Sequence, residues 1–405
     1  MQMFPNSIKQ ITMRAQLTDK QIKVIKNRTA LLQSKSDFVA LLNDVAVMIY
    51  GDAGKNAFDL KHLTYYANPR ISPKRYATFE IKKRSGKTRV IHSPVSGLKS
   101  ILKCFSYILE SGYEPHPAAM GFVPGRSVVD NAQKHLNMQH VYNIDLQDFF
   151  HTFNRNRVKM GIWRNLFKMD KEKEQLAFFL AALCTHPIEI NGKEKIVLPQ
   201  GSPVSPLLTN MLCVSLDRRL QGLAKRYRIR YSRYADDITF SSNRNVFVET
   251  AFQRELHRII EEDQKLKINP EKTRLQKQGY RQEVTGVIVN EKPNVHRKYV
   301  KQVRMWIYYM EKYGLEKAEH LFRADYIRDK GHVKNLSNPM FSVLMGKLQY
   351  LKMVKGENDS TYLGLKERFD KATGTENEID AILTIWEIEG IEKAMDIANS
   401  KNINN

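Results

Sequence analysis

The tetrapeptide Tyr234-Ala235-Asp236-Asp237 constrains this chain more than any other stretch. Aromatic and β-branched residues flank it, with Tyr231-Ser232-Arg233 before and Ile238-Thr239-Phe240 after. Such flanks predict two strands joined by a tight turn, with a pair of carboxylates at the hairpin tip. Adjacent aspartates repel each other. A fold that holds them together calls for a divalent cation between them.

Composition points the same way. The 405 residues suffice for a sizeable core and two or three subdomains. A formal net charge of +22 predicts a polyanionic partner, nucleic acid ahead of an anionic membrane surface. No apolar run reaches the length of a membrane span, and Met1-Gln2-Met3-Phe4-Pro5 lacks a signal-peptide pattern. The expectation is a cytoplasmic protein with no membrane partner. Cys104, Cys184 and Cys213 form no C-x-x-C pair and read as reduced, buried thiols, without zinc or disulfides. Residues 292–355 are rich in Lys and Arg, whereas the tail from Glu357 is acidic. That contrast predicts a polyanion-binding module followed by a separate appendage.

Periodicity predicts helix over 18–50, opened by Thr18 or Asp19, and a linker or short helix over 56–69. Tyr76–Glu80 and Arg89–Ile91 read as strands around a basic turn at Gly86. Helices follow over 96–110 and 128–136, then a strand over 141–146. Residues 155–185 read as mainly helical, and a helix over 207–225 follows a Gly/Pro loop. Hairpin strands at 228–233 and 238–241, a helix over 247–263 and a short β segment over 282–290 complete this part. Everything after Tyr299 reads as helical. The alternation predicts an α+β fold, a small antiparallel sheet backed by helices.

A second acid source is Asp145, which ends the apolar strand before Leu146-Gln147-Asp148-Phe149-Phe150. Templated phosphoryl transfer uses two divalent ions, one activating the attacking hydroxyl and one stabilising the leaving pyrophosphate. Asp145, Asp236 and Asp237 are the minimal carboxylate set for that task. Lys82 and Arg89 flank the basic turn and could grip a triphosphate, with Lys83 as the one-residue alternative. Leu198-Pro199-Gln200-Gly201-Ser202-Pro203 is a restrained loop at a helix start, where Gly201 admits close approach of a nucleotide or template. Plainer readings stand beside these: acids near strand ends that cap turns, Asp148 as a cap of the next helix only, and Lys82 and Arg89 as a solvated hairpin face.

The order of basic turn, D-x-x-x-F-F, L-P-Q-G-S-P-x-S-P, Y-A-D-D and Asn269-Pro270-Glu271-Lys272 resembles a reverse transcriptase over about residues 70–290. The resemblance implies a right-hand polymerase with fingers, an antiparallel-sheet palm and a helical thumb. Its parts would be an N-terminal helical segment (1–70), fingers and palm (71–290), a basic thumb (291–370) and an acidic helical tail (371–405). It implies Mg²⁺, as two ions with Mn²⁺ as a substitute, on Asp145, Asp236 and Asp237. It makes Phe150 a steric gate against ribose, Gln200 and Gly201 lining of the nucleotide and template, and Lys272 a residue near the leaving pyrophosphate.

Asn131-Ala132-Gln133-Lys134-His135 and Val284-Thr285-Gly286 fit the N-A-x-x-H and V-T-G patterns of bacterial retron reverse transcriptases. That narrower resemblance implies a cognate structured noncoding RNA serving as template and primer. It implies priming from an internal 2′-OH, a branched RNA–DNA product, dNTP substrates, an effector protein and a role in anti-phage defence. Asn131, His135, Thr285, Gly286, Arg297, Lys298 and Lys347 become RNA-binding candidates. His135 is read as packing or hydrogen bonding against the RNA-binding surface rather than as a base, and Asn131 as a structural or RNA contact. Two rivals stay open: a defence-type or group-II-intron-like reverse transcriptase with different priming, and a non-catalytic RNA-binding scaffold or antitoxin. The acidic tail has an apolar stripe at Ile382, Ile385, Trp386, Ile388 and Ile391. It matches nothing in the resemblance.

Overall fold

The computed structural model describes residues 16–82, 86, 88–330 and 339–374. They fall into two compact units, Met1–Glu291 and Lys292–Asn405. The apolar stripe proposed for the tail lies outside the described residues.

Thr18 opens α1 (Asp19–Ala30) through a capping box with Gln21. Ser34 opens α2 (Lys35–Tyr50) the same way with Asp37. The region read as one helix is therefore two, because the second box supplies its own start signal. A short α3 (Leu60–Ala67) follows, capped by Asp59. The strands β1 (Tyr76–Lys82) and β2 (Thr88–Pro94) form the expected basic hairpin. Buried Arg75 ties its base to the core, donating to the carbonyls of Tyr66, Ala182 and Thr185.

Next come α4 (Ser96–Gly112), α5 (Val128–Gln133) and β3 (His140–Gln147). The apolar face of α4 packs on α2, with Phe105 edge-on to Phe38 at 5.2 Å between ring centroids. Helices α6 (Arg155–Asn165) and α7 (Glu174–Cys184) lead into a hairpin, β4 (His186–Ile190) and β5 (Lys193–Val197). Sequence reading did not predict that hairpin, although Asn191-Gly192 is its turn and both residues have positive φ. The single helix expected over 207–225 is two, α8 (Ser205–Leu212) and α9 (Val214–Tyr227).

The hairpin strands are β6 (Arg230–Tyr234) and β7 (Asp237–Ser242). After α10 (Thr250–His257) and one π turn, β8 runs from Lys267 to Lys277. Strands β3, β6, β7 and β8 make one antiparallel sheet in the order β6-β7-β3-β8. This places β3, with Asp145, between the Asp236–Asp237 hairpin and β8. Short β9 (Glu283–Val284) and β10 (Val287–Ile288) pair around Thr285-Gly286.

Among its described residues the second unit is helical, as expected: α11 (Arg297–Lys330), broken at Gly314, then α12 (Met340–Lys355) and α13 (Ser360–Thr373). Trp306 is its buried centre, edge-on to Phe322 at 4.8 Å. All three cysteines are buried and unpaired. No described helix is long and apolar enough to cross a membrane.

Candidate active site

A two-residue turn, Ala235-Asp236, closes the β6–β7 hairpin, because Tyr234 and Asp237 are its last paired residues. Ala235 takes a left-handed conformation, φ 56°, where glycine would be the easy choice. Asp145 lies directly opposite Asp237 in the β3–β7 register. Directly opposed residues share a sheet face, so these two carboxyl groups project from the same side. The amide of Leu146 donates to the Asp236 carbonyl at 3.1 Å, which ties the turn to β3.

On its other side Asp145 faces Asn269 of β8. The Asn269 amide donates to Asp145 Oδ1 at 2.9 Å, and Lys272 Nζ donates to Oδ1 and Oδ2 at 2.8 and 2.7 Å. A register shift between Asn143 and Asp145 marks a bulge beside these contacts. Desolvation first, then the neighbouring Asp236 and Asp145, pushes the Asp237 carboxyl up to about 7. Desolvation and Asp145 raise Asp236 as well, opposed by Lys272 and Arg89. By surface area Asp237 is exposed and Asp236 half-buried, so their desolvation comes from the crowded rim of the site rather than from enclosure.

This donor set suits a hard divalent cation: carboxylate oxygens whose mutual repulsion the ion would relieve. Among the described residues no three acidic, His or Cys side chains converge as a ready-made cage, and Asp145 instead carries Lys272 and Asn269. The residues fit the ion by chemistry and strand placement.

Arg89 is exposed on β2, and its charge acts on Asp236, so the basic hairpin and the acids share one region. The side chains of Lys82 and Lys83 lie outside the described residues. Phe150 is half-buried, edge-on to Phe149 at 5.6 Å, and opens a short helical turn beyond Asp148. Gln200 accepts from the His92 amide at 2.8 Å. Gly201 has φ 121°, and a Cβ there would lie 2.8 Å from the His92 carbonyl. Close approach of β2 therefore already requires glycine at 201, with no nucleotide invoked.

The sequence from residue 81 to 307 matches the family described as reverse transcriptase (RNA-dependent DNA polymerase). The chain belongs to the reverse transcriptase family. Within it the chain is of the bacterial retron type. It is 37% identical over 237 residues to the retron Mx65 reverse transcriptase of Myxococcus xanthus, covering 57% of this chain and 55% of that one. Its identity to the retron Mx162 reverse transcriptase of the same species is 36% over 233 residues, covering 53% and 47%. The retron Ec86 reverse transcriptase of Escherichia coli is 31% identical over 252 residues, covering 62% and 73%. The chain spans about half the length of the two Myxococcus relatives.

In this reverse transcriptase the N-A-x-x-H and V-T-G segments meet, and the inward position of Asn131 and His135 removes these two from the RNA-binding candidates and agrees with their reading as hydrogen-bonding, structural residues. Asn131 and His135 are buried. His135 Nδ1 and Nε2 lie 2.7 Å from Ser241 Oγ and Ser232 Oγ, and Ser232 donates to Asn131 Oδ1 at 2.6 Å. Because Ser232 gives its proton to Asn131, Nε2 donates to Ser232 and Nδ1 accepts from Ser241. Burial drives the imidazole down to about 3, so the ring is neutral. Asn131 Nδ2 reaches Thr285 Oγ1 at 3.4 Å, and Thr285 donates to the Val128 carbonyl. Thr285 and Gly286 both have positive φ, 47° and 83°, and only Gly286 is exposed. The two motifs thus brace α5, the acid-bearing hairpin and the β9–β10 turn against one another.

Lys347 is half-buried, its ammonium over the Tyr299 ring at 4.3 Å and bonded to Gln302 at 3.0 Å within its own unit. Arg297 and Lys298 are exposed at the start of α11, open to a polyanion. Sequence reading also missed Asp217 and Arg233. Their ion pair is fully buried, and Arg233 bonds the Ala235 carbonyl beneath the acidic turn.

Proposed function

We propose that the protein is an RNA-directed DNA polymerase that copies a cognate structured noncoding RNA. The observation that carries this reading is the placement of Asp145 opposite Asp237, with Asp236 in the intervening turn. Asp145, Asp236 and Asp237 would hold divalent cations, Mg²⁺ as two ions with Mn²⁺ as the substitute. Ions bound there would supply activation of the attacking hydroxyl and neutralisation of the leaving pyrophosphate.

The chain's own residues do the rest. Asn269 and Lys272 hold Asp145 in place, and Lys272 offers a cation beside the site. Arg89, with Lys82, attracts the triphosphate from the fingers hairpin. Phe150 presses its ring where a ribose 2′-OH would stand, selecting deoxynucleotides. Gln200 and Gly201 line the nucleotide and template. Residues 1–70 form the N-terminal helical segment, 71–290 the fingers and palm, 291–370 an RNA-holding thumb with Arg297 and Lys298 on its surface, and 371–405 a tail.

Priming starts from an internal 2′-OH of the cognate RNA and yields a branched RNA–DNA hybrid in the cytoplasm, with an effector protein and a role in anti-phage defence. The test is to purify the protein from its native locus and sequence the bound nucleic acid, with and without ribonuclease and debranching treatment. Short DNA joined to RNA through a 2′–5′ linkage supports the reading. Unbranched cDNA moves the priming to a conventional hydroxyl, and RNA alone supports a scaffold.

A further inference from the structure

We propose that the buried Asp217–Arg233 pair is the positioning device of the acidic turn: Asp217 on α9 sets Arg233, and Arg233 holds the Ala235 carbonyl. This inference rests on the polymerase reading of the carboxylates.

Arg233 Nε and Nη2 donate to Asp217 Oδ1 and Oδ2 at 2.8 and 2.7 Å, a bidentate fork. The third arm, Nη1, donates to the Ala235 carbonyl at 3.1 Å. Tyr231 completes the set, donating to Asp217 Oδ1 at 2.7 Å. Both charged side chains are 0% exposed. A pair removed from water at such cost persists where its geometry does something that apolar packing would not.

Here the geometry serves the turn. Ala235 is held left-handed without being glycine, a conformation that the surroundings must impose. Three restraints converge on it. Arg233 holds its carbonyl from below. The segment 118–120 adds to the outer edge of β6, with Arg233 N donating to the Ala118 carbonyl and Met120 N to the Arg233 carbonyl. Gly121 then passes so close that a Cβ would lie 2.9 Å from the Ala235 amide. Asp236 and Asp237 follow directly, so an error at Ala235 displaces both carboxylates. Neither Asp217 nor Arg233 is in the group that would touch metal or substrate. Their action goes through the backbone.

The decisive variant replaces the network with apolar side chains of similar size: Tyr231→Phe, Asp217→Leu and Arg233→Met together in the full chain. Apolar replacement of a buried pair often leaves stability unchanged or raised. The expected result is a melting temperature close to wild type, with Mn²⁺ affinity by titration calorimetry at least tenfold weaker. On poly(rA)·oligo(dT) the turnover falls at least tenfold, while the KM for dTTP stays within twofold. A folded variant with wild-type Mn²⁺ affinity and turnover overturns the proposal. Should the triple variant not fold, Arg233→Lys keeps the buried charge but lacks the fork and the third arm. It is expected to show the same Mn²⁺ loss, and wild-type affinity there equally overturns the proposal. Wild-type protein that binds Mn²⁺ yet makes no DNA overturns the polymerase reading instead, and the Mn²⁺ comparison still decides the positioning role.

Discussion

Replacing His135 with alanine should unfold this protein more readily without touching its contact with RNA. The imidazole bonds two hydroxyls at 2.7 Å each, and His135, Ser232 and Ser241 are all 0% exposed. Truncation strands Ser241 and leaves Ser232 with Asn131 alone. An unsatisfied buried polar group costs about 1–3 kcal/mol, with Ser232 at the low end because it keeps one partner. The cavity adds lost packing, for a total of about 3–5 kcal/mol. That is a large share of the roughly 5–15 kcal/mol that holds a domain folded. Urea denaturation followed by circular dichroism reads the loss, and fluorescence anisotropy with a single-stranded RNA reads binding by folded protein. Unchanged stability with a tenfold loss of RNA affinity would refute the brace and restore the RNA-contact reading. Acid sharpens the test. The unfolded ring takes up a proton near 6.5, whereas the native ring resists it down to about 3. Its contribution is therefore complete above pH 6.5 and lost as pH falls towards 3. Wild type should lose stability over that window more steeply than His135→Asn.

Other substitutions separate the remaining roles. Asp236→Asn should abolish DNA synthesis in a primer-extension assay while RNA affinity survives, and measurable cDNA would remove Asp236 from the metal set. Phe150→Val should admit ribonucleotides, and an unchanged preference for dNTPs over rNTPs would place the gate elsewhere. Lys272→Met frees Asp145 Oδ2 and leaves Oδ1 with Asn269 alone, so Mn²⁺ should bind more tightly by calorimetry, and weaker binding would show that the lysine supports the ion instead. Gly201→Ala forces a side chain against the His92 carbonyl at φ 121°, costing about 1–3 kcal/mol of stability in the same urea assay. An unchanged midpoint would mean that β2 shifts freely.

The acidic hairpin was legible because its flanking residues are strand formers and its turn is short. β3 was legible as an apolar run ending in an acid. β8 was not, since Pro270 inside a charged stretch argues against a strand. Yet β8 is what brings Lys272 onto Asp145, so the lysine's partner could not be read from the chain. Asn131 and His135 read both as structural, hydrogen-bonding residues and as RNA-binding candidates, and their burial fits only the first role. The spacing carried a signal: Asn131 and Ala132 stand four and three residues before His135, within one helical turn, and all three are buried. Asp217 gave no local sign at all. It lies in an ordinary amphipathic helix and gains meaning only when α9 packs behind the β6 strand.

The three cysteines are shielded from solvent reagents by their burial. Burial raises the Cys104 and Cys213 thiols to about 12 and about 11 and pushes Cys184 higher still. Thiolate, not thiol, is the reactive form, so all three are nearly inert towards alkylating dyes while the protein stays folded. The native chain thus serves as its own cysteine-free background. A single cysteine introduced at Lys298 would carry a fluorophore alone, and its emission could follow the arrival of RNA at the start of α11.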